Sequence, residues 1–207
     1  MTAAPPSPSP PSPSPASLSP PELSPASPRR RQPEILRRRL LDAAAALAVA
    51  GGLQAMTIAA VARAAGVTKG GLFHHFPDKE ALITALLRDL LDHFDAAIDL
   101  GMAADPEPQG SFTRAWIAAT LDPRLAASAP LNAVLLMNPG MRGLWSDWLR
   151  ARLSCHAATD SGPWYEILRH AADGFWLADL WQVEPDLRQP MADLCATLLD
   201  LTRRNPG

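Results

Sequence analysis

The stretch that decides the fold is Thr57-Ile58-Ala59-Ala60-Val61-Ala62-Arg63-Ala64-Ala65-Gly66-Val67-Thr68-Lys69-Gly70-Gly71-Leu72-Phe73-His74-His75-Phe76. It reads as two short helices around one tight turn. Thr57 and Thr68 each stand just ahead of a helix-forming run, where a side-chain oxygen can accept from the unpaired N–H groups of a first turn. Gly66 supplies the left-handed position that the turn needs. Ile58, Val61, Ala62 and Ala65 recur at helical spacing and face inward, the alanines permitting close approach. Val67 and Leu72 plug the seam, and Phe76 closes its base. Thr68, Lys69, Gly71, Phe73, His74 and His75 are left outward, as a low, polar or basic face. This is a helix-turn-helix arrangement, and such a face fits end-on into a DNA major groove about 12 Å wide.

Upstream, Ile35, Leu36, Leu40, Leu41, Ala44, Leu47 and Ala48 follow helical spacing. Pro33 suits the first turn of that helix and Gly51-Gly52 its end. Downstream, Pro77 stops the motif, and Asp78 caps a helix from about Lys79 to Leu100, with Leu82, Leu86, Leu90 and Phe94 at four-residue steps. The segment Gly101–Gly110 reads as a loop. Four or five further helices follow. Ser111 caps one reaching about Leu121, and Asp122-Pro123 opens a short one. Residues 130–137 make another, ended by Asn138-Pro139-Gly140. Met141–Ala158 is amphipathic, Pro163 opens a long helix to about Val183, and the last runs from about Asp186 to Arg204. No alternating strand pattern and no 20–50-residue repeat is present.

The expected fold class is therefore all-α: an N-terminal three-helix, homeodomain-like helix-turn-helix plus a C-terminal helical bundle. Residues 1–33 are assigned to a disordered Pro/Ser-rich tail, because closely spaced prolines remove donors and little apolar surface offsets the ordering entropy. Residues 34–78 form the helix-turn-helix domain, and residues 79–207 the effector-binding and dimerisation domain.

The bulk numbers agree. Of 207 residues, 47% are hydrophobic and 19% charged, enough for a sizeable core. The net charge of −2 hides an asymmetry. Residues 29–90 carry ten Lys/Arg against five Asp/Glu, whereas residues 91–207 carry nine Arg against fifteen. A basic first half suits a polyanion partner. Cys155 and Cys195 read as two buried free thiols in a reducing compartment. No secretory signal and no apolar run of transmembrane length is visible, so the expected location is the cytoplasm, with no membrane partner.

The run from Leu41 to Leu87 resembles the DNA-binding domain of TetR-type bacterial regulators. Its elements include Ala-Gly-Val-Thr-Lys-Gly before an aromatic, His-Phe at the helix end and Lys-Glu-Ala-Leu opening the next helix. The stretch Ala171–Leu180 resembles the C-terminal domain of one TetR subgroup. The resemblance implies a homodimer on a palindromic double-stranded DNA operator, with no cofactor. It implies a phosphate contact at Thr57, alongside its role as a helix cap, and base or phosphate contacts from Thr68 and Lys69. Gly70 and Gly71 would let the backbone approach the duplex, while His75 and Lys79 would clamp phosphates. His74 would face the bases. Phe73 departs from the family's usual tyrosine and cannot donate to a phosphate, so it either touches a thymine methyl or packs. His74 and His75 cannot chelate one metal ion, because adjacent residues on a helix point about 100° apart.

All six tryptophans fall in residues 101–207. Core packing accounts for most, yet several in one bundle can line a mostly apolar cavity. The resemblance implies a small-molecule effector site there. The candidates are Trp116, Met137, Trp145, Trp148, Phe175 and Trp176, and the effector expected is apolar. Leu177, Leu180, Trp181, Leu194, Leu198 and Leu201 fit a dimer stripe or intramolecular core. No nucleophile elbow, phosphate loop or metal spacing supports an enzyme. The alternatives are a helical interaction or ligand-binding protein without DNA binding, and a small helical enzyme.

Overall fold

A computed structural model of the chain describes residues 28–124, 129–183, 185–186 and 189–204. Residues 1–27, the greater part of the expected disordered tail, lie outside the described residues. Among the described residues there are ten α-helices and no strand. They are α1 (Pro28–Ala55), α2 (Ile58–Ala64), α3 (Lys69–Phe73), α4 (Lys79–Ala104), α5 (Ser111–Thr120), α6 (Ala129–Leu136), α7 (Arg142–Cys155), α8 (Ala157–Asp160), α9 (Pro163–Leu180) and α10 (Met191–Arg203). The all-α class stands.

Several boundaries differ from the sequence reading, each for a physical reason. α1 starts at Pro28, so residue 33 is no boundary and Pro33 lies inside the helix. Pro33 is exposed, so water can take the backbone bond it forfeits. α1 breaks at Gly51-Gly52 as expected, with Gly52 at φ 66. α4 runs through Gly101 to Ala104, where a loop was expected. Gly101 is there for packing: a Cβ on it would stand 3.1 Å from Ala115 Cβ, so α4 and α5 touch at this point. Ser111 does not cap α5; that position falls to Gly110, at φ 76, against the ring of Tyr165 and the guanidinium of Arg114. The last helix begins at Met191, five residues later than expected. Residues 125–128, part of the short helix expected after Asp122-Pro123, lie outside the described residues.

Three apolar clusters organise the molecule. The first holds Leu40, Ala44, Val61, Leu72, Phe76, Leu82 and Leu86, and it is closed by Leu135 of α6 and Met141. The helix-turn-helix core is thus completed by residues from beyond position 129. The second, around Ile98, Phe112, Ala115 and Trp116, lies where α4, α5 and α7 meet. The third joins α5, α9 and α10 through Ile117, Leu168, Ala172 and Leu198.

Two buried guanidinium groups hold the second half together. Arg114 donates from Nε to Asp105 Oδ2 at 2.6 Å and from Nη1 to the Gln109 carbonyl at 2.9 Å. This fixes the link between α4 and α5, and it holds the Asp105 carboxyl below its ordinary pKa. Arg169 donates to Thr113 Oγ1 at 2.7 Å, while Asp160 accepts from the Thr113 N–H at 2.7 Å. Burial lowers the Arg169 pKa. Cys155 is exposed and Cys195 half-buried, both free, so the expectation of two buried thiols fails for Cys155. It ends α7, beyond the face that packs. Among the described residues no helix is long and apolar enough to cross a membrane.

Candidate nucleic-acid interface and effector region

The helix-turn-helix is built by local chemistry. Thr57 Oγ1 accepts from Ala60 N–H at 3.1 Å, Thr68 Oγ1 from Gly71 N–H at 3.1 Å, and Asp78 Oδ1 from Ala81 N–H at 2.7 Å. Each threonine hydroxyl that accepts in this way keeps its own proton to donate outward. Capping and a phosphate contact are therefore compatible at Thr57 and Thr68. Gly66 sits at φ 67 in the turn, and Arg39 Nη2 donates to the adjoining Ala65 carbonyl at 2.6 Å. Val61, Ala62, Ala65, Leu72 and Phe76 are all buried.

The outward face of α3 carries Thr68, Lys69, Gly70, Phe73 and His74, all exposed, with Gly71 and His75 partly so. Phe73 is 48% exposed, unusual for a phenylalanine with a core at hand. The glycines are informative. A Cβ on Gly70 would find its nearest neighbour, Thr68 Oγ1, at 3.9 Å, and one on Gly71 would find the same atom at 3.4 Å. Both are ordinary contacts, so nothing inside the fold requires glycine at either site. Each nevertheless costs a helix about 1 kcal/mol relative to alanine.

Lys79 has one of its three ammonium donors engaged within the fold. Its ammonium donates to the Leu53 carbonyl at 2.5 Å and ties the start of α4 to the end of α1. The three arginines at 37–39, which sequence reasoning counted only as positive charge, are also engaged. Arg37 stands 4.7 Å over the Phe76 ring, Arg38 pairs with Asp42 and Asp89, and Arg39 holds the turn. The hydrogen bonds that Arg38 donates to Asp42 and then Asp89 raise its pKa. Only the Arg38/Asp42 spacing of four was legible beforehand.

The six effector candidates do not line one cavity. Trp116, Trp145 and Trp148 come together with Phe94 and Phe112. The Trp145 and Trp148 ring centroids are 5.0 Å apart, and Phe94 meets Trp116 edge-on at 5.2 Å. Trp116 Nε1 donates to Asp173 Oδ1 at 3.1 Å and Trp148 Nε1 to Asp95 Oδ2 at 2.9 Å. Phe175 and Trp176 belong to the third cluster, on α9. Met137 is 67% exposed, away from both clusters. Trp145 and Trp148 also pack against the first cluster, so they belong to two cores at once. Of the expected dimer stripe, Leu198 and Leu201 pack in the third cluster, whereas Trp181 is exposed with Ile167 and Val183.

Comparison with known proteins fits both halves. Residues 40–86 match the model of the bacterial regulatory proteins of the tetR family, and residues 110–203 that of a tetracyclin repressor-like C-terminal domain. The HTH-type transcriptional regulator BetI of Escherichia coli O157:H7 is 31% identical over 179 residues, covering 76% of this chain and 88% of BetI. The HTH-type transcriptional repressor KstR2 of Rhodococcus jostii is 46% identical over 56 residues, covering 27% of this chain; the chain spans only 28% of KstR2's length. The multidrug binding protein EbrR complexed with malachite green has a TM-score of 0.62 at 21% identity, covering 80% of this chain and 96% of EbrR, a likeness of fold alone. With two family models placed in tandem and BetI matched over most of its length, this chain belongs to the TetR family of bacterial regulatory proteins.

Proposed function

We propose that the protein is a DNA-binding transcriptional repressor that works as a homodimer on a palindromic operator and lets go when a small, largely apolar effector binds. One observation carries the DNA-binding part. α3 keeps two glycines that the fold does not need, beside an exposed Lys69 and an exposed Phe73. A helix that forgoes stability on its outer face is suited to a partner that must come within backbone contact, and a duplex is such a partner. One α3 reads few base pairs, so two are needed, about 34 Å apart. Ile167 on α9 and Trp181 just after its end, both exposed, suit the dimer contact. Thr57, Thr68, Lys69, His74 and His75 serve the duplex, while Lys79 orients α4 through Leu53.

The effector part rests on Trp116, Trp145 and Trp148. Two states of the dimer differ in the spacing of α3 and its mate. A coupling of roughly 1–3 kcal/mol gives about 5–150-fold release. α4 joins the halves in sequence, and Trp145 and Trp148 join them in space.

Selection of bound sequences from random duplex DNA tests this. A palindromic consensus, bound by a dimer and weakening steeply with salt, supports it. Recovery of no consensus sinks it and favours the second reading, a helical interaction protein, to which the bound Lys79 and the hydroxyl-free Phe73 are better suited.

A further inference from the structure

Three consecutive arginines on α1 end in three different places. Arg38 donates to Asp42 at 2.8 Å and to Asp89 at 2.7 Å, and Arg39 donates to the Ala65 carbonyl at 2.6 Å. Both are engaged inside the fold. Arg37 is exposed, and its guanidinium carbon stands 4.7 Å from the centroid of the Phe76 ring. Among the described residues it has no carboxylate and no carbonyl partner. Glu34 lies three residues before it, at ion-pair spacing, and still does not pair with it. The second half is different. There Arg114, Arg124, Arg150, Arg152 and Arg204 each meet a carboxylate within 2.8 Å.

The place of Arg37 gives the missing acid a meaning. Phe76 closes the helix-turn-helix and is 2% exposed, so the core fixes its ring. Arg37 covers that ring at the closing end of α3, where the His75 ring lies 6.4 Å from it. Lys69, also exposed, opens α3. The reading segment thus carries a cation at each end, and seven residues of helical rise separate Lys69 from Phe76 by roughly 10 Å. A major groove about 12 Å wide has a row of phosphates along each edge. A guanidinium laid on an aromatic face keeps the N–H donors at its rim free, and that planar fork matches a phosphate. Stacking also orders the side chain beforehand, which lowers the entropy cost that a loose surface arginine meets on binding.

We infer that Arg37 is a phosphate-binding residue of the DNA interface, positioned by Phe76 beside the closing end of α3. It takes a backbone phosphate, reads no base, and adds affinity at any sequence. Phe76 then has two roles, as a core plug and as the platform for Arg37. This inference rests on the DNA-binding reading above and adds a residue of α1 to an interface otherwise assigned to Thr57 and to Thr68–His75.

The test uses the full-length protein, the selected operator and a scrambled duplex of the same composition. Arg37→Met keeps an unbranched side chain for the ring and removes the charge. It is expected to keep the wild-type denaturant midpoint and to weaken binding to both duplexes by the same factor, at least tenfold. Its log–log salt slope should be shallower by about one counterion for each arginine removed, about two for the dimer. Arg37→Lys should keep the slope and recover part of the affinity. Replacing operator phosphates one at a time with methylphosphonate should reveal one position in each half-site that weakens wild type and leaves Arg37→Met unchanged. A lower midpoint with unchanged affinity and slope would make Arg37 a structural lid on Phe76 and overturn the inference, as would a loss confined to the operator. Should Arg37→Met fail to fold, Arg37→Lys and the methylphosphonate series still decide. Lys69→Ala is measured alongside. Binding that responds to Lys69→Ala and not to Arg37→Met overturns this inference alone, whereas a wild type that binds no duplex specifically overturns the DNA-binding reading with it.

Discussion

The two halves of the molecule treat polar groups in opposite ways. In α2 and α3 each polar side chain either caps a helix or is left exposed, and the outer face is stripped down to two glycines. In the second half polar groups are drawn inward and hydrogen-bonded: Arg114 to Asp105, Arg169 to Thr113, Arg152 to Asp99, and two indole N–H groups to carboxylates. A surface awaiting a rigid partner of fixed shape leaves its groups bare and its backbone accessible. A helical core that buries polar groups must supply their partners from within. Substitutions should therefore separate: those in the first half alter DNA binding with little loss of stability, and those in the second alter stability first.

The largest expected effect is on the stability side. Asp105→Asn leaves the buried Arg114 without the carboxylate it is hydrogen-bonded to, Glu107 standing 3.9 Å off, and should cost about 3 kcal/mol, seen as an earlier denaturant midpoint. The same pair gives a pH dependence. Asp105 is held below its ordinary pKa by Arg114, so its contribution is full above that ordinary value and is lost as pH falls through the folded one. A stability loss well under ~1 kcal/mol would show the second half to be less tightly matched than its ion pairs imply.

Next in size is an effect of opposite sign in the first half. Gly70→Ala with Gly71→Ala should raise thermal stability, by about 1 kcal/mol per site at most, and lower operator affinity at least tenfold, as read by anisotropy on a labelled duplex. A gain in stability with no loss of affinity would break the comparison. Smaller again is the effect at Phe73. Replacing operator thymines with uracil removes only the C5 methyl. If Phe73 touches that methyl, wild type should lose roughly three- to tenfold, and Phe73→Ala should lose nothing further on the uracil duplex.

The smallest effect concerns His156, whose ring stacks on Phe112 at 4.6 Å. Burial, then the nearby Arg152, pushes its pKa below the ordinary 6.5. The unfolded chain takes up this proton more readily than the folded one, so stability falls as pH drops below about 6.5 until the folded histidine is also protonated. Melting curves at about pH 7.5 and about pH 5.5 should show an acid-induced drop that shrinks by about a degree in His156→Phe.

The first half was legible because its rules are local. Thr57, Thr68, Asp78 and Gly66 each act within three or four residues, and all four do what their spacing indicated. The second half was legible only as helices. Gly101 reads as a stop in the sequence because its reason, Ala115, lies on another helix. The Arg114 and Arg169 hydrogen bonds reach across turns and helices and leave no periodic trace. Six aromatic and sulfur side chains form one group by residue type, and the fold divides them among two clusters and an exposed position. The Lys79 bond was not legible either, because its partner is a backbone carbonyl 26 residues away, and a carbonyl has no signature in a sequence.

The central claim is that the exposed face of α3 grips DNA, and Lys69 is the residue on which that claim is most open to test. The decisive measurement is operator affinity of wild type and Lys69→Ala across a salt series, with folding checked by circular dichroism. The variant is expected to remain folded, to bind at least tenfold more weakly, and to show a log–log salt slope shallower by about one counterion for each lysine removed from a half-site. A folded Lys69→Ala protein with wild-type affinity and slope would contradict the claim.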